Sequence, residues 1–236
     1  MAERTGLVQR FVEPEILDGL PADDPRAARA RRDLRLLNAL TLQDRIVARA
    51  IAKHGAGLDI RRIADLGAGD GAFMLRVARR LGSSWRGTEV FLIDRADCVA
   101  RETREAFAAM GSHVEVAAQD VFAFLEQAPS CDLIVANLFL HHLQDAELAR
   151  LFALAARTTR LLVAGEMRRV RLVRELARFM GRVGGGDVTS QDGVTSVRAA
   201  FLGKELSALW PRGAAWETRE REVGLWTHLF VAKRVA

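Results

Sequence analysis

The sequence predicts an α/β fold: a mostly parallel sheet with helices on both faces. Three observations carry that prediction. From about residue 60, short continuous apolar runs alternate with stretches of helical periodicity, the pattern of strands covered on both sides. A glycine-rich turn, Asp65-Leu66-Gly67-Ala68-Gly69-Asp70-Gly71, separates the first apolar run from the helix that follows. Two carboxylates, Asp94 and Asp120, close the second and third runs, at the edge where open α/β sheets bind ligands.

The elements follow in order. Residues 1–57 read as a helical cap. Asp24 followed by Pro25 is an N-cap with proline at the first helical position. Leu34, Leu36, Leu37 and Leu40 supply an apolar face. Thr41 reads as a second N-cap, before a helix carrying Leu42, Ile46, Val47 and Ile51 that ends at Gly55 and Gly57. Strands are expected at 63–66, 90–93, 113–116, 133–136 and 161–164, with helices at 72–81, 97–110, 121–127 and 144–156. An arginine-rich helix follows at 168–181. The Gly-, Ser-, Asp- and Thr-rich stretch 182–195 then reads as a loop, and a short helix covers 203–209. Two alternating segments, 214–223 and 225–234, with Gly224 between them, form a terminal antiparallel hairpin. Residues 58–236 are thus expected to be one compact unit below the cap.

Composition narrows the classes. No stretch is long and apolar enough to span a membrane, and the N-terminus lacks the apolar core of a secretory signal. Cys98 and Cys131 sit in apolar surroundings and fit no metal spacing, so a cytoplasmic protein without a metal is expected. The formal charge is +5. Lysine occurs only at positions 53, 204 and 233, and the many arginines are interleaved with acids. That is the pattern of solvated helix faces rather than of a nucleic-acid patch.

Glycines at 67, 69 and 71 let the backbone turn sharply and let a ligand approach the N–H groups of the next helix. The same turn also fits a tight connection that binds nothing. It fits a dinucleotide site less well, because the third glycine comes at the fifth place and Ala72 stands at the sixth. Asp94 lies about twenty residues beyond the turn, the spacing for a carboxylate accepting ribose hydroxyls; it also reads as a solvated turn residue. Asp120 could accept the amine of an adenine with Phe122 against the ring, or cap the helix 121–127.

Together with Gln119-Asp120-Val121 and residues 132–142, these motifs resemble, over about residues 58–167, the class I S-adenosylmethionine-dependent methyltransferases. The resemblance implies a seven-stranded Rossmann-like sheet, which the terminal hairpin suits. S-adenosylmethionine is the implied cofactor and S-adenosylhomocysteine the product. The resemblance places Gly67, Ala68, Gly69 and Gly71 beside the methionine moiety and Asp65 at its amino-acid end. Asp94 with Arg95 falls at the ribose, and Asp120 with Val121 and Phe122 at the adenine. Asn137 opens a segment that borders the transferred methyl. That segment has Leu-Phe where enzymes acting on planar amines carry prolines and an aromatic, which points away from nucleobases. Residues 182–201, with Gln191-Asp192-Gly193 and Ser196-Val197-Arg198, are similar to a small-molecule subgroup.

The expected reaction is in-line methyl transfer to an oxygen, less favourably a carbon or nitrogen, of a small-molecule acceptor. His141 and His142 are the candidate general bases, His141 the preferred one, with a purely structural role as the alternative. Glu166, Arg168 and Arg169 either shape the acceptor pocket or form the charged first turn of a helix, the latter preferred for the arginines. Phe11, Phe179, Met180 and Phe201 supply a lid or, more simply, core. The N-terminal helices and the 182–195 loop would close over the acceptor. His54, His113 and His228 have no assigned partner. The alternatives are a silent adenosylmethionine or adenosylhomocysteine binder acting as a partner protein, and an RNA methyltransferase. The sequence is compatible with an oligomer.

Overall fold

Alternation along the strands settles which side chains enter which half of the core. In the computed structural model, which describes residues 9–21, 24–127, 130–182 and 186–235, Ile63 of β1 (Arg62–Leu66) faces one side of the sheet, and Ala64 and Leu66 face the other. The same division holds for β2 (Glu89–Asp94), β4 (Leu133–Asn137) and β5 (Leu161–Met167). Apolar residues at consecutive positions therefore fill two separate layers, as a doubly covered sheet requires.

The sheet has seven strands in the order β3-β2-β1-β4-β5-β7-β6, with β3 at His113–Ala118, β6 at Trp216–Val223 and β7 at Thr227–Arg234. The first five pair in parallel, and β7 inserts antiparallel between β5 and β6. Strand order reverses at β1, so the carboxyl ends of β1, β2 and β4 flank a crevice, the usual ligand position of such sheets.

Helices α2 (Gln43–His54), α3 (Ala72–Leu81) and α4 (Arg101–Ala109) cover one face, through residues such as Val47, Ile51, Met74, Val77 and Phe107. Helices α5 (Val121–Gln127), α6 (Asp145–Thr158) and the short α9 (Glu205–Leu209) cover the other, with Phe124, Leu148, Leu151, Phe152 and Leu206. No helix among the described residues is long and apolar enough to cross a membrane.

Helix α1 (Pro25–Leu40) starts as expected, with Asp24 accepting the Arg26 N–H and proline in the first turn. Two readings of this region need correction. Thr41 ends α1, its hydroxyl donating back to the Leu37 carbonyl, and Leu42 at φ +55° precedes α2. The leucine face of α1 is also largely outward, for Leu36 and Leu40 are 55% and 66% exposed. The buried side carries Ala27, Ala30 and Asn38 instead.

The segment expected to be a loop contains helix α8 (Asp187–Ala199), packed against α7 (Arg171–Arg182); residues 183–185 lie outside the described set. Val188, Asp192, Ser196 and Ala199 repeat at helical spacing on its buried side. Asp192 and Ser196, two of these four, are polar residues of low helix propensity, and tertiary partners offset that propensity. Arg168 and Arg169 precede α7 rather than opening it. Arg169 is fully buried, donating to the Ala200 carbonyl and Glu205, while Arg168 pairs with Glu222 and donates to the Gly224 carbonyl. Phe201 is core, Phe11 is half exposed beneath Arg198, and the side chains of Phe179 and Met180 lie outside the description. His228 has a partner, the buried Glu220 carboxylate at 2.6 Å.

Phe152 is fully buried, with ring centroids 5.1 Å from Trp210 and 5.5 Å from Phe230. Phe152→Ala should lower unfolding free energy by about 3–5 kcal/mol in urea titration. A loss below about 1 kcal/mol would contradict this packing.

Candidate active site

The bend after β1 is held to the end of β2. Gly67 and Ala68 both donate to the Ile93 carbonyl at 2.9 Å, and Gly69 N–H donates to Asp94 Oδ2 at 2.9 Å. All three glycines have positive φ, but for different needs. A Cβ at Gly67 would sit 2.3 Å from the Phe139 ring, and one at Gly71 would sit 2.8 Å from Leu92. A Cβ at Gly69 would enter open space. Gly71 is not among the residues that line the cavity beside the bend; it serves the turn and the packing against β2.

That cavity measures about 420 Å³ and lies along the carboxyl edge of the sheet, within the size range of small-ligand sites. Asp65, Gly67, Ala68 and Gly69 line it, as do Asp94 and Arg95, then Asp120, Val121 and Phe122, and finally Asn137. Asp65 is buried, and its Oδ2 has no hydrogen-bond partner among the described residues. Burial, and then the nearby Asp94 charge, push its carboxyl well above the usual range. Asp94 Oδ1 accepts the Ala96 N–H at 3.2 Å. Asp120 accepts the Phe122 N–H at 2.9 Å through Oδ1, capping α5, and its Oδ2 lies 3.7 Å from Arg95. Capping and lining the cavity are thus compatible. Asn137 donates to Asn38 Oδ1 at 3.0 Å, which ties α1 to the end of β4.

The residues suit an adenosyl sulfonium. The unpaired oxygen of Asp65 calls for a cationic donor, and the space over Gly69 admits a ligand against the backbone.

His141 and His142 line the same cavity, on the turn after β4. The turn is shaped by Glu166 of β5, which is fully buried. Glu166 Oε1 accepts the N–H groups of Phe139 at 2.9 Å and Leu140 at 2.7 Å, and its Oε2 lies 2.8 Å from His141 Nδ1. Thus Glu166 does not line the cavity but props the histidine turn from within β5, rather than starting a helix.

The N-terminal segment reaches the same place. Arg10 donates to the Ala199 carbonyl and pairs with Asp145. Asp192 of α8 accepts the N–H groups of Ile16 and Leu17 at 2.8 and 3.0 Å, and Ser196 donates to Glu15. Glu15 Oε1 is held 3.5 Å from His141 Nε2, and Asp18 Oδ2 lies 3.2 Å from His142 Nδ1. Burial alone would push the His141 imidazolium down. The Glu166 charge and the hydrogen bonds to Glu15 and Glu166 outweigh it and raise the pKa to about 10. Burial likewise works against the Glu15 carboxylate, yet His141, His142 and Ser196 together hold it below the usual range.

Glu15, Asp18 and Asn38 were not singled out from the sequence, since nothing local marks them. Glu166 did carry a signal, being an acid at the carboxyl end of a predicted strand.

Residues 63–161 match a family model described as a methyltransferase domain. No curated protein matches the sequence. Among solved structures, the chain is similar to the plantazolicin methyltransferase BpumL in complex with SAH, with TM-score 0.66, 11% identity, and 90% and 92% of the two chains covered. It is similar also to an O-methyltransferase family protein from Burkholderia thailandensis (0.59, 19%, 90% of this chain) and spans 61% of that protein's length. A third is the magnesium protoporphyrin IX methyltransferase ChlM from Synechocystis PCC 6803 with bound SAH (0.51, 15%, 84% of each chain). At these identities the shared property is the fold.

The raised pKa of His141 makes stability depend on pH. Its contribution is complete below the ordinary value of 6.5 and is lost as pH rises through about 10. Urea titrations should therefore show falling stability across that window, with a much smaller fall in His141→Gln. Equal slopes in the two proteins would contradict the paired imidazolium.

Proposed function

We propose that this chain, which carries a methyltransferase domain on the class I S-adenosylmethionine-dependent fold, moves a methyl group to an oxygen of a small-molecule acceptor. One observation carries the reading. A single cavity brings the glycine bend and Asp65, Asp94 and Asp120 together with the His141-His142 pair. S-adenosylmethionine, when bound, supplies a sulfonium-activated methyl group.

The chain's own part begins with binding. Asp65, whose carboxyl burial and then Asp94 push up, ionises against the ammonium of the amino-acid end and accepts from it through Oδ2. Asp94 keeps lone pairs for the ribose hydroxyls while it pins Gly69. Asp120 does the same for the adenine amine, with Val121 and Phe122 giving apolar contact.

Proton handling falls to the imidazoles. Both nitrogens of His141 face carboxylates, Nδ1 toward Glu166 and Nε2 toward Glu15. With its pKa raised, His141 stays protonated near neutrality, so the role of base moves from His141, the sequence's preferred candidate, to His142. Asp18 orients His142 through Nδ1, and the His142 Nε2, held more loosely at 4.0 Å from Glu15 Oε2 than His141 Nε2 is at 3.5 Å, receives the acceptor's hydroxyl proton. The N-terminal segment and α8 cover the acceptor and exclude water; this lid is helix and strap rather than a loop.

The oxygen acceptor accords with the Burkholderia neighbour, an O-methyltransferase family protein. Small acceptors accord with plantazolicin and protoporphyrin, named for the other two. The interleaved charges accord with an enzyme acting away from nucleic acid, and no helix among the described residues is long and apolar enough to cross a membrane.

Calorimetry with S-adenosylmethionine, paired with mass-spectrometric turnover on a panel of phenols and hydroxylated metabolites, tests this reading. Asp94→Asn should weaken cofactor binding about 10- to 100-fold, the worth of one or two hydrogen bonds to a charged group. His142→Ala should lower kcat about 10²- to 10⁴-fold with little change in KM. Unchanged affinity in Asp94→Asn, or no methylated product from any hydroxylated acceptor, would overturn it.

A further inference from the structure

Glu15, His141 and His142 come together from distant parts of the chain, and their geometry suits more than proton transfer. We propose that these three side chains form a binding site for one divalent transition-metal ion. The inference uses the same cavity but does not depend on methyl transfer.

The orientation of the rings is the main argument. His141 Nδ1 lies 2.8 Å from Glu166, and His142 Nδ1 lies 3.2 Å from Asp18. Each carboxylate fixes the N–H on Nδ1 and turns Nε2 toward Glu15. This is the outer-carboxylate arrangement that orients histidine ligands and strengthens them as donors.

The distances are close to those of a bound ion. Glu15 Oε1 lies 3.5 Å from His141 Nε2, and Oε2 lies 4.0 Å from His142 Nε2. One ligand atom from each residue falls within 4.8 Å of the others. Tetrahedral coordination with bonds of about 2.0–2.1 Å places ligand atoms roughly 3.4 Å apart. A small inward movement of His142, which is 24% exposed in its side chain, closes the set.

Two imidazoles and one carboxylate select zinc, cobalt, nickel or copper over magnesium or calcium, which prefer all-oxygen cages. All three residues line the cavity, so a fourth position stays open toward it, as in catalytic rather than structural sites. A cation here takes the place of the proton between His141 and Glu15 and occupies the His142 Nε2 lone pair. Metal loading and base catalysis by His142 therefore exclude each other.

Zinc sulfate titrated into the full chain by calorimetry, with cobalt(II) visible absorption as a geometry readout, tests the site. We expect one ion per chain and tetrahedral-type cobalt bands. His142→Ala should abolish binding, and both Glu15→Gln and the outer-carboxylate variant Asp18→Asn should weaken it about 10- to 100-fold. Circular dichroism confirms that each variant is folded. Absence of stoichiometric zinc binding in the wild type, or unchanged zinc affinity in His142→Ala and Glu15→Gln, overturns the proposal. S-adenosylmethionine titrated into the same samples separates the two readings. Asp94→Asn should keep zinc while losing cofactor affinity. Cofactor binding without zinc binding counts against the metal site alone, and zinc binding without cofactor binding counts against the proposed function alone.

Discussion

A carboxylate with no access to water has to be fully paired, and Glu166 at the end of β5 is such a group. Its partners are two backbone N–H groups of the turn after β4 and the ring of His141. Removing any of them would leave a buried charge short of partners, so the turn, the ring and the strand end are fixed as a unit. Leu138, at φ +49° despite its side chain, is where the chain bends to meet this demand. Phe139 in the same turn packs against Gly67, leaving no room for a side chain there. One buried acid thus connects the histidine side of the cavity to the glycine bend.

The N-terminal segment completes the cavity by a similar logic. Asp192 and Ser196 would be poor choices for the buried side of a helix if nothing met them. They are satisfied by the backbone of Ile16 and Leu17 and by Glu15, so folding of α8 and docking of the segment support each other. The docked segment then brings Glu15 and Asp18 against the imidazoles. The electrostatics of the site therefore depend on residues that belong neither to the sheet nor to its cover.

The parallel strands, the glycine bend, Asp94 and Asp120 were legible because each has a local cause. A doubly buried strand must be continuously apolar, a sharp exit from β1 needs positive φ, and an acid at a strand end sits on the ligand edge. The terminal hairpin was legible from two extended segments on either side of Gly224, although β7, inserted between β5 and β6, is buried at six consecutive positions rather than alternating. What could not be read depends on partners far away in sequence. Helix α8 looks like a loop because the middle of its buried side is Asp192 and Ser196, polar residues whose partners lie near the N-terminus. Arg169 looks like a solvated helix residue until Glu205 and the Ala200 carbonyl surround it. Thr41 resembles an N-cap, but its hydroxyl turns back to Leu37. Glu15 has no local signature, and its importance comes entirely from where the strap lays it.

The central claim is that the bend between β1 and α3 and the carboxylate of Asp94 grip an adenosyl sulfonium beside the histidine turn. A crystal structure of the full chain grown with S-adenosylhomocysteine tests it most directly. The account predicts ribose hydroxyls within hydrogen-bond distance of Asp94, the amino group on Asp65, and the sulfur facing His142. A ligand seated away from the bend, or one that leaves Asp94 and Asp65 untouched, would contradict it.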